Sequence, residues 1–230
     1  IKSSAASDVY KRQTLPTPRA GAIGIRRCLK LLITDFVSRL DTEKEFIMSD
    51  AKKVTVSKPK VGGAVYRAPL GTTPPTDATT ALDKAFKSLG YISEDGLTNS
   101  NSPESDSIPA WGGDKVLYYQ TAKDDTFGFM LIEAMNEDVL KTVYGDKNVT
   151  GTLADGLTVK ATAVEAADSV WVVETILRGG AVKRIVIPCA HITEIEDIVY
   201  KDDEPLGYGV TLGATPDDSG VTHYEYIKGA

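Results

Sequence analysis

The histidines and a short glycine pattern are the residues of this chain that could support metal or phosphate chemistry. His191 stands beside a predicted strand start, His223 stands in an alternating run, and neither belongs to an HxH or HExxH pattern. Gly207, Gly209 and Gly213 miss the spacing of the dinucleotide fingerprint and fall in a strand-like run, and no Walker loop occurs. A histidine on a strand is more often a core or surface residue than a ligand, so we predict no metal and no cofactor.

Two acidic clusters and two cysteines are the other candidates for chemistry. Residues 202–204 and 217–218 are acidic but lack the alternation that places calcium ligands around one ion, which favours solvated turns. Cys28 and Cys189 are too few for a disulfide framework and match no metal motif. No pair of carboxylates is marked out for hydrolytic catalysis. The sequence therefore predicts that the chain is not an enzyme.

Charge is distributed unevenly along the 230 residues. Residues 1–47 carry 9 basic and 5 acidic side chains, a net charge of +4, which leaves 17 basic and 27 acidic ones in residues 48–230, a net charge of −10. A protein that grips DNA neutralises phosphates with Lys and Arg, so this acidic balance disfavours nucleic-acid recognition. The longest apolar runs are far too short to span a bilayer.

We infer that residues 1–47 differ in origin from residues 48–230. The string DVYKRQ over residues 8–13 resembles a translated adapter of a sequencing library, and Met48 follows a stretch that a bacterial ribosome-binding site could encode. We therefore expect residues 1–47 to be a non-native upstream translation that is disordered or irregular, and Met48 to be the natural start. The alternative is a genuine basic arm with a short amphipathic helix near Arg26 to Leu40.

Residues 48–230 are predicted to form a single domain with two irregular segments. Residues 48–78 have an extended character and four prolines, which predicts an N-terminal arm with at most one short strand. Residues 98–110 are rich in Ser, Asn, Asp and Pro, which predicts a long polar loop that ends at Trp111. We expect Trp111 to be partly buried where this loop rejoins the sheet. Loops of this length in a compact domain tend to be functional.

The remaining pattern predicts a mainly β fold with one convincing helix. Asn136 can cap a helix that ends at Gly145, and Asp77 or Thr79 can cap a second, short one before Gly90. The apolar face of that short helix would comprise Leu82, Phe86 and Leu89. Predicted strands are Val116–Tyr119, Thr126–Glu133, Leu157–Ala163, Val170–Leu177, Ala181–Ile187, Ile192–Tyr200, Leu206–Leu212 and Val221–Ile227.

Turn chemistry between these runs supports an all-β sandwich or barrel. Gly179-Gly180 joins two β-branched runs and predicts a two-residue hairpin turn, and Asp124-Asp125 predicts a turn between the first two strands. About eight short strands at this spacing, with one flanking α-helix, predict a β-sandwich or barrel.

Several strings resemble a known family when they are taken together. The runs Leu89–Leu97, Ile108–Asp114 and Phe127–Glu133, the helix Val139–Gly145 and the closing run Gly207–Leu212 are similar to segments of the major tail tube proteins of long-tailed bacteriophages. The resemblance covers about residues 64–227. No single string is diagnostic, but the combination is distinctive.

This resemblance implies a structural virion protein. It implies a β-sandwich with a flanking helix, six copies to a ring, and rings stacked into a tube through which DNA passes without specific binding. Arms and a long loop would bridge successive rings. The candidate inter-subunit residues are Thr98, Asn99, Ser100, Asn101, Glu104, Trp111, Gly112 and Gly113. Implied partners are other copies of the chain and the tail terminator, tape measure and baseplate proteins, in the virion tail and, during assembly, in the host cytoplasm.

Two other functions remain open from the residues alone. A β-sandwich binding or adhesion module of a virion or cell surface has the same composition, and a hydrolase would need a pocket with convergent carboxylates. Oligomeric state separates these classes, because a tube subunit forms rings or long polymers and a binding module does not.

Overall fold

A computed structural model describes residues 49–230 of the chain. The predictions for residues 1–47 and for a start at Met48 lie outside the described residues. The chain divides into two compact units, Ile1–Lys53 and Val54–Ala230. In the described part of the first unit, Ala51–Lys53 form a single 3-10 turn. All other elements belong to the second unit.

The second unit is mainly β, as predicted, with eleven strands and one α-helix among its described residues. The strands are β1 (Ser57–Pro59), β2 (Val65–Pro69), β3 (Lys87–Ser88), β4 (Ile92–Pro109), β5 (Lys115–Leu131), β6 (Val149–Thr152), β7 (Gly156–Val159), β8 (Ser169–Leu177), β9 (Val182–Ile195), β10 (Tyr208–Ala214) and β11 (Tyr224–Lys228). The helix α1 spans Glu137–Tyr144.

Nine strands form one sheet that does not close on itself. Its order is β3-β2-β8-β9-β10-β5-β4, with β1 also paired to β8 and β11 also paired to β9. Strands β6 and β7 form a separate two-stranded sheet. All pairs are antiparallel. The layers are sandwich-like, since Val149 of β6 and the β7 residue Leu157 pack into the core of the large sheet.

A hairpin is present at Gly179-Gly180 as predicted, but its turn is longer than the two residues expected. A 3-10 turn over Arg178–Gly180 joins β8 to β9, and Gly179 has a φ of 84°, which a residue with a side chain rarely adopts. The two strands predicted on either side of Pro188 merge into the single strand β9. Pro188 is tolerated because it lies at the irregularity where the β8–β9 pairing shifts register.

The main core lies between the large sheet and helix α1. Phe127, Phe129 and Leu131 alternate along β5, so all three point to this face, where Trp171 from β8 packs against Phe129 with ring centroids 6.3 Å apart. Helix α1 covers the same face with Val139, Leu140 and Val143. The apolar face of the sheet and the apolar face of helix α1 thus pack together in one layer.

Helix α1 begins and ends as its sequence predicts. The side chain of Asn136 accepts a hydrogen bond from the amide of Asp138 at 3.0 Å, which satisfies one of the free amides of the first turn. Gly145, with a φ of 94°, donates its amide to the carbonyl of Lys141 and ends the helix.

The short helix predicted before Gly90 is absent from the described residues. Asp77 instead accepts hydrogen bonds from the amides of Thr79 and Thr80, which closes a turn rather than a helix. Phe86 packs in a second, smaller core on the opposite face of the sheet, whereas Leu89 packs in the main core. Because the two side chains serve opposite faces, the segment extends as β3.

Part of the predicted N-terminal arm is paired in the large sheet and is not an arm. Val65–Pro69 form β2, which pairs with β8 along its whole length and buries Val65 and Ala68. Before it, β1 pairs with the last residues of β8. The prolines ended the helical pattern as expected, but sheet pairing at a distance of more than 100 residues made this segment part of the core.

Candidate assembly surface

The candidate site is a long hairpin made by β4 and β5, an arrangement that differs from the sequence prediction. Thr98, Asn99, Ser100, Asn101 and Glu104, predicted to lie in an irregular loop, are paired residues of β4. The two strands predicted on either side of Asp124-Asp125 are one continuous strand, β5. The structure therefore places all predicted site residues on one hairpin, with Thr98 and Asn99 where it joins the sheet and Trp111 at its opposite end.

The strand was missed because its outer half buries neither face. Residues 99–107 of β4 and 115–121 of β5 are almost all exposed, so no apolar alternation marks them as strands. Pro103 also argued against a strand, yet β4 is an edge strand that pairs only with β5. A proline is tolerated there, since an edge strand has an amide side without a ladder partner.

Trp111 stands at the tip of this hairpin and is fully exposed, with a relative accessibility of 107%. The prediction that Trp111 is partly buried is wrong. Gly112 and Gly113 form the turn with φ values of 113° and 99°, a conformation that glycine adopts without strain. The turn closes through the amide of Ala110 on the carbonyl of Asp114 at 2.7 Å. The Trp111 side chain thus packs against no other part of residues 49–230.

Both faces of the outer hairpin carry uncovered apolar side chains. Val116 and Tyr118 lie on one face, and Leu117 and Tyr119 alternate with them on the other. Ile108, directly opposite Leu117 across the ribbon, is exposed as well. Contiguous apolar groups on a protein surface mark sites of interaction.

The outer hairpin also lacks neighbours for its backbone. Among the residues that the structure describes, β5 pairs only with β4 between residues 115 and 124, because its pairing with β10 begins at Thr126. A two-stranded hairpin is marginally stable in water when it stands alone. Both open edges present unpaired amides and carbonyls, which template pairing with another chain.

Asp125 connects the root of the β4–β5 hairpin, which is the end that joins the large sheet, to the carboxyl-terminal part of the chain. Its carboxylate accepts hydrogen bonds from Asn99 of β4 at 2.7 Å and from Thr222 at 2.6 Å, and it also contacts Nδ1 of His223. The His223 ring packs edge-on against Phe127 at 5.3 Å. Asp125 is only 3% exposed, so it is a buried junction of three segments and not the predicted turn residue.

The environment of Asp125 keeps its carboxyl group ionised. Burial by itself raises the pKa of Asp125, but the hydrogen bonds from Thr222, His223 and Asn99 outweigh burial and leave the pKa below its ordinary value. Because an ionised carboxylate only accepts hydrogen bonds, His223 donates from Nδ1. The sequence signal for this site was present but ambiguous, because an Asp-Asp pair is more often a solvated turn.

A second buried polar cluster lies on the face of the large sheet opposite the main core. Arg184 of β9 and Glu174 of β8 are each 1% exposed and form a direct ion pair. Arg184 also donates to the carbonyls of Asp77 at 2.7 Å and Thr80 at 2.8 Å, and Lys60 contacts Glu174 at 2.7 Å. This cluster fixes Lys60 and the turn at Asp77 to the central hairpin, which β8 and β9 form.

This pair was not predicted, because the two-residue turn expected at Gly179-Gly180 would place residue 174 opposite residue 185. The observed turn is centred on Gly179 and places residue 174 opposite residue 184. Opposite charges at facing positions in otherwise apolar strands would have indicated a buried pair.

The residues first considered for chemistry have structural surroundings. His191 pairs with Asp168 at 3.0 Å. Gly213 lies on β10 where a Cβ atom would collide with the side chain of Thr193 of β9, whereas at Gly209 the nearest atoms belong to the flexible side chain of Glu196, which follows β9. Cys189 is a free, partly buried thiol whose pKa is raised by burial and by nearby Asp168.

Within residues 49–230, no group of three or more His, Cys, Asp or Glu side chains is arranged to hold a metal ion. The only helix of this part of the chain, α1, is too short and too polar to cross a membrane.

An open sheet that carries a long hairpin with an uncovered outer half leaves unpaired strand edges with which another chain could pair. The family profile described as phage tail tube protein matches residues 52–230, most of the chain. The chain belongs to the family of phage tail tube proteins. Membership implies a structural role in the tail of a virion. No curated protein matches the chain closely enough to refine this assignment.

Proposed function

We propose that copies of this chain assemble into rings, six to a ring, which stack into the tube through which phage DNA passes. The observation that carries this proposal is the β4–β5 hairpin, whose outer half has both faces and both edges uncovered. A ring gives each such edge a neighbour, so that assembly removes the hazard that an open edge poses in a monomer.

Net charge supports passage of DNA without binding. Residues 48–230 carry a net charge of −10, so a ring of six would carry 6 × −10 = −60. Duplex DNA carries about one negative charge per 1.7 Å of its axis and would be repelled by a wall of the same sign. We propose that acidic side chains outnumber basic ones on the face that lines the bore.

The remaining parts of the proposal follow from this role. The chain would act without catalysis, assemble in the host cytoplasm, and contact the tail terminator, tape measure and baseplate proteins at the ends and within the bore of the tube. The candidate inter-subunit residues all lie on the hairpin and are Thr98, Asn99, Ser100, Asn101, Glu104, Trp111, Gly112 and Gly113.

Electron microscopy of the purified protein tests the proposal. We expect rings or tubes of uniform width, and a reconstruction would give the symmetry and the net charge of the bore lining. Protein that stays monomeric under all solution conditions would favour a binding module instead, and a net positive lining would contradict the proposed mode of DNA passage.

A further inference from the structure

An apolar groove lies at the turn end of the β8–β9 hairpin, away from the β4–β5 hairpin. Its floor and walls combine the end of β8 with the segment that carries β1, and they include Val54, Val56, Val61, Ile176 and Leu177. The three valines are strongly exposed, and Val61 reaches 93%. The groove is therefore an uncovered apolar surface of the kind that marks an interaction site.

The groove is a built feature of the sheet. Ser57 pairs with Leu177 and Lys58 pairs with Ile176 in the β1–β8 ladder. The amide of Arg178 donates to the hydroxyl of Thr55 at 2.8 Å, which ties the chain before β1 to the end of β8. The apolar walls are thus held in place before any partner arrives.

Two cationic side chains at the groove have no ion-pair partner within the described residues. Lys58 and Arg178 line the groove, and neither forms an ion pair within residues 49–230. The nearby cations Lys60 and Lys183 differ, since they pair with Glu174 and Glu225 at 2.7 Å each. An apolar groove with free positive charge favours an apolar segment that carries carboxylates.

The outer part of the β4–β5 hairpin has this composition. Trp111 and Ile108 are exposed apolar side chains, and the carboxylates Glu104, Asp106 and Asp114 outnumber the one lysine between residues 99 and 121, Lys115. None of the three carboxylates forms an ion pair within residues 49–230. Trp111 is fully exposed, so the tip does not occupy the groove of its own chain.

We propose that the hairpin tip of one copy docks in the β1–β8 groove of another copy, with Trp111 as its apolar anchor and Lys58 and Arg178 facing the hairpin carboxylates. This inference rests on the proposed self-assembly and names the contact that produces it. Because two different surfaces of the chain meet, the contact is head-to-tail. Such contacts close into rings or continue as filaments, whereas a self-complementary patch would stop at a dimer.

Photo-cross-linking between distinguishable copies tests the contact. Full-length protein with a benzoylphenylalanine at position 111 is mixed with an isotope-labelled wild-type copy, assembled, irradiated and mapped by mass spectrometry. We expect labelled peptides from residues 54–61 or 176–178. Assembly with cross-links elsewhere, or only within the same chain, overturns the inference and leaves tube formation standing. Wild-type protein that never assembles overturns both.

A charge-reversal series gives an independent readout. The double variant K58E/R178E should lower the yield of assembled protein by about tenfold or more, whereas K147E/K160E makes the same change of net charge at exposed lysines elsewhere and should assemble as wild type does. Adding D106K/D114K to K58E/R178E should restore assembly. Equal assembly of the two double variants, or no rescue by the hairpin reversals, contradicts the contact.

Discussion

At the scale of single residues, Asp125 and Trp111 have opposite roles on the same hairpin. Asp125 is buried, accepts hydrogen bonds from two other segments and fixes the root. Trp111 contacts nothing beneath it at the tip. A change at Asp125 should therefore act on folding, and a change at Trp111 should act on assembly.

Asp125→Asn should lower the free energy of unfolding by about 1–3 kcal/mol near neutral pH, because buried donors lose a charged acceptor. The lowered pKa of Asp125 means that its contribution is present above the ordinary value of about 3.9 and disappears as the pH falls through the folded-state pKa. The difference between variant and wild type in urea unfolding should therefore shrink below about pH 4.

Asp124→Asn is the matched control, because Asp124 is the exposed neighbour on the same strand. It should change the free energy of unfolding by no more than about 0.5 kcal/mol. Equal effects of the two substitutions would show that Asp125 does not hold the root.

Trp111→Ala should leave the unfolding free energy within about 0.5 kcal/mol of wild type, as is usual for exposed positions. Assembly into rings or tubes should be strongly reduced, since the proposed anchor is lost. Light scattering and electron microscopy would measure assembly, and denaturant unfolding of the dissociated protein would measure stability.

Trp171→Ala provides the contrast, because Trp171 is 1% exposed and donates its indole N–H to the carbonyl of Ala190 at 3.1 Å. It should cost about 3–5 kcal/mol. A large loss of stability from Trp111→Ala would mean that the tip packs on its own chain.

At the scale of elements, the central β8–β9 hairpin organises what surrounds it. β1 and β2 pair along one side of β8, and β10 and β11 pair along the far side of β9. The Arg184–Glu174 pair lies inside this hairpin and reaches out to the turn at Asp77. The hairpin therefore connects the N-terminal segment with the rest of the sheet.

Arg184→Met should destabilise the protein by about 3–5 kcal/mol, because it leaves the buried carboxylate of Glu174 without its main partner. Combining it with Glu174→Leu should restore part of the loss, since removing both charges of a buried pair costs less than removing one. A double-mutant cycle by chemical denaturation measures the coupling. Additive effects would show that the two side chains act independently.

At the scale of the whole molecule, the described fold and the family match begin at nearly the same place. The second compact unit starts at Val54, and the family profile starts at residue 52. The unit contains the sheet, both apolar cores and the hairpin. All eleven strands and helix α1 of the described part of the chain, and the surfaces of the proposed contacts, therefore lie after residue 53.

Removal of residues 1–47 should leave folding and assembly unchanged. A chain that starts at Met48 should melt within a few degrees of the full chain and form the same rings or tubes. Differential scanning calorimetry and electron microscopy of the two proteins side by side would measure this. Loss of solubility or assembly in the shorter chain would show that the basic segment has a role.

The sequence by itself determined the mainly β class, helix α1 with its Asn136 and Gly145 ends, and the hairpin at Gly179-Gly180. These features follow from local periodicity and turn chemistry, which neighbouring residues supply. The combination of strings that resembles tail tube proteins was likewise readable without coordinates, and the family match bears out that resemblance.

Only the tertiary structure decided how residues 98–125 and 77–89 are arranged. The outer hairpin has no buried face, so its strands leave no apolar alternation, and backbone pairing alone defines them. Phe86 and Leu89 have helical spacing but pack on opposite faces of a sheet. The burial of Asp125 and Arg184 also depends on partners 97 and 107 residues away in the chain, which no local pattern encodes.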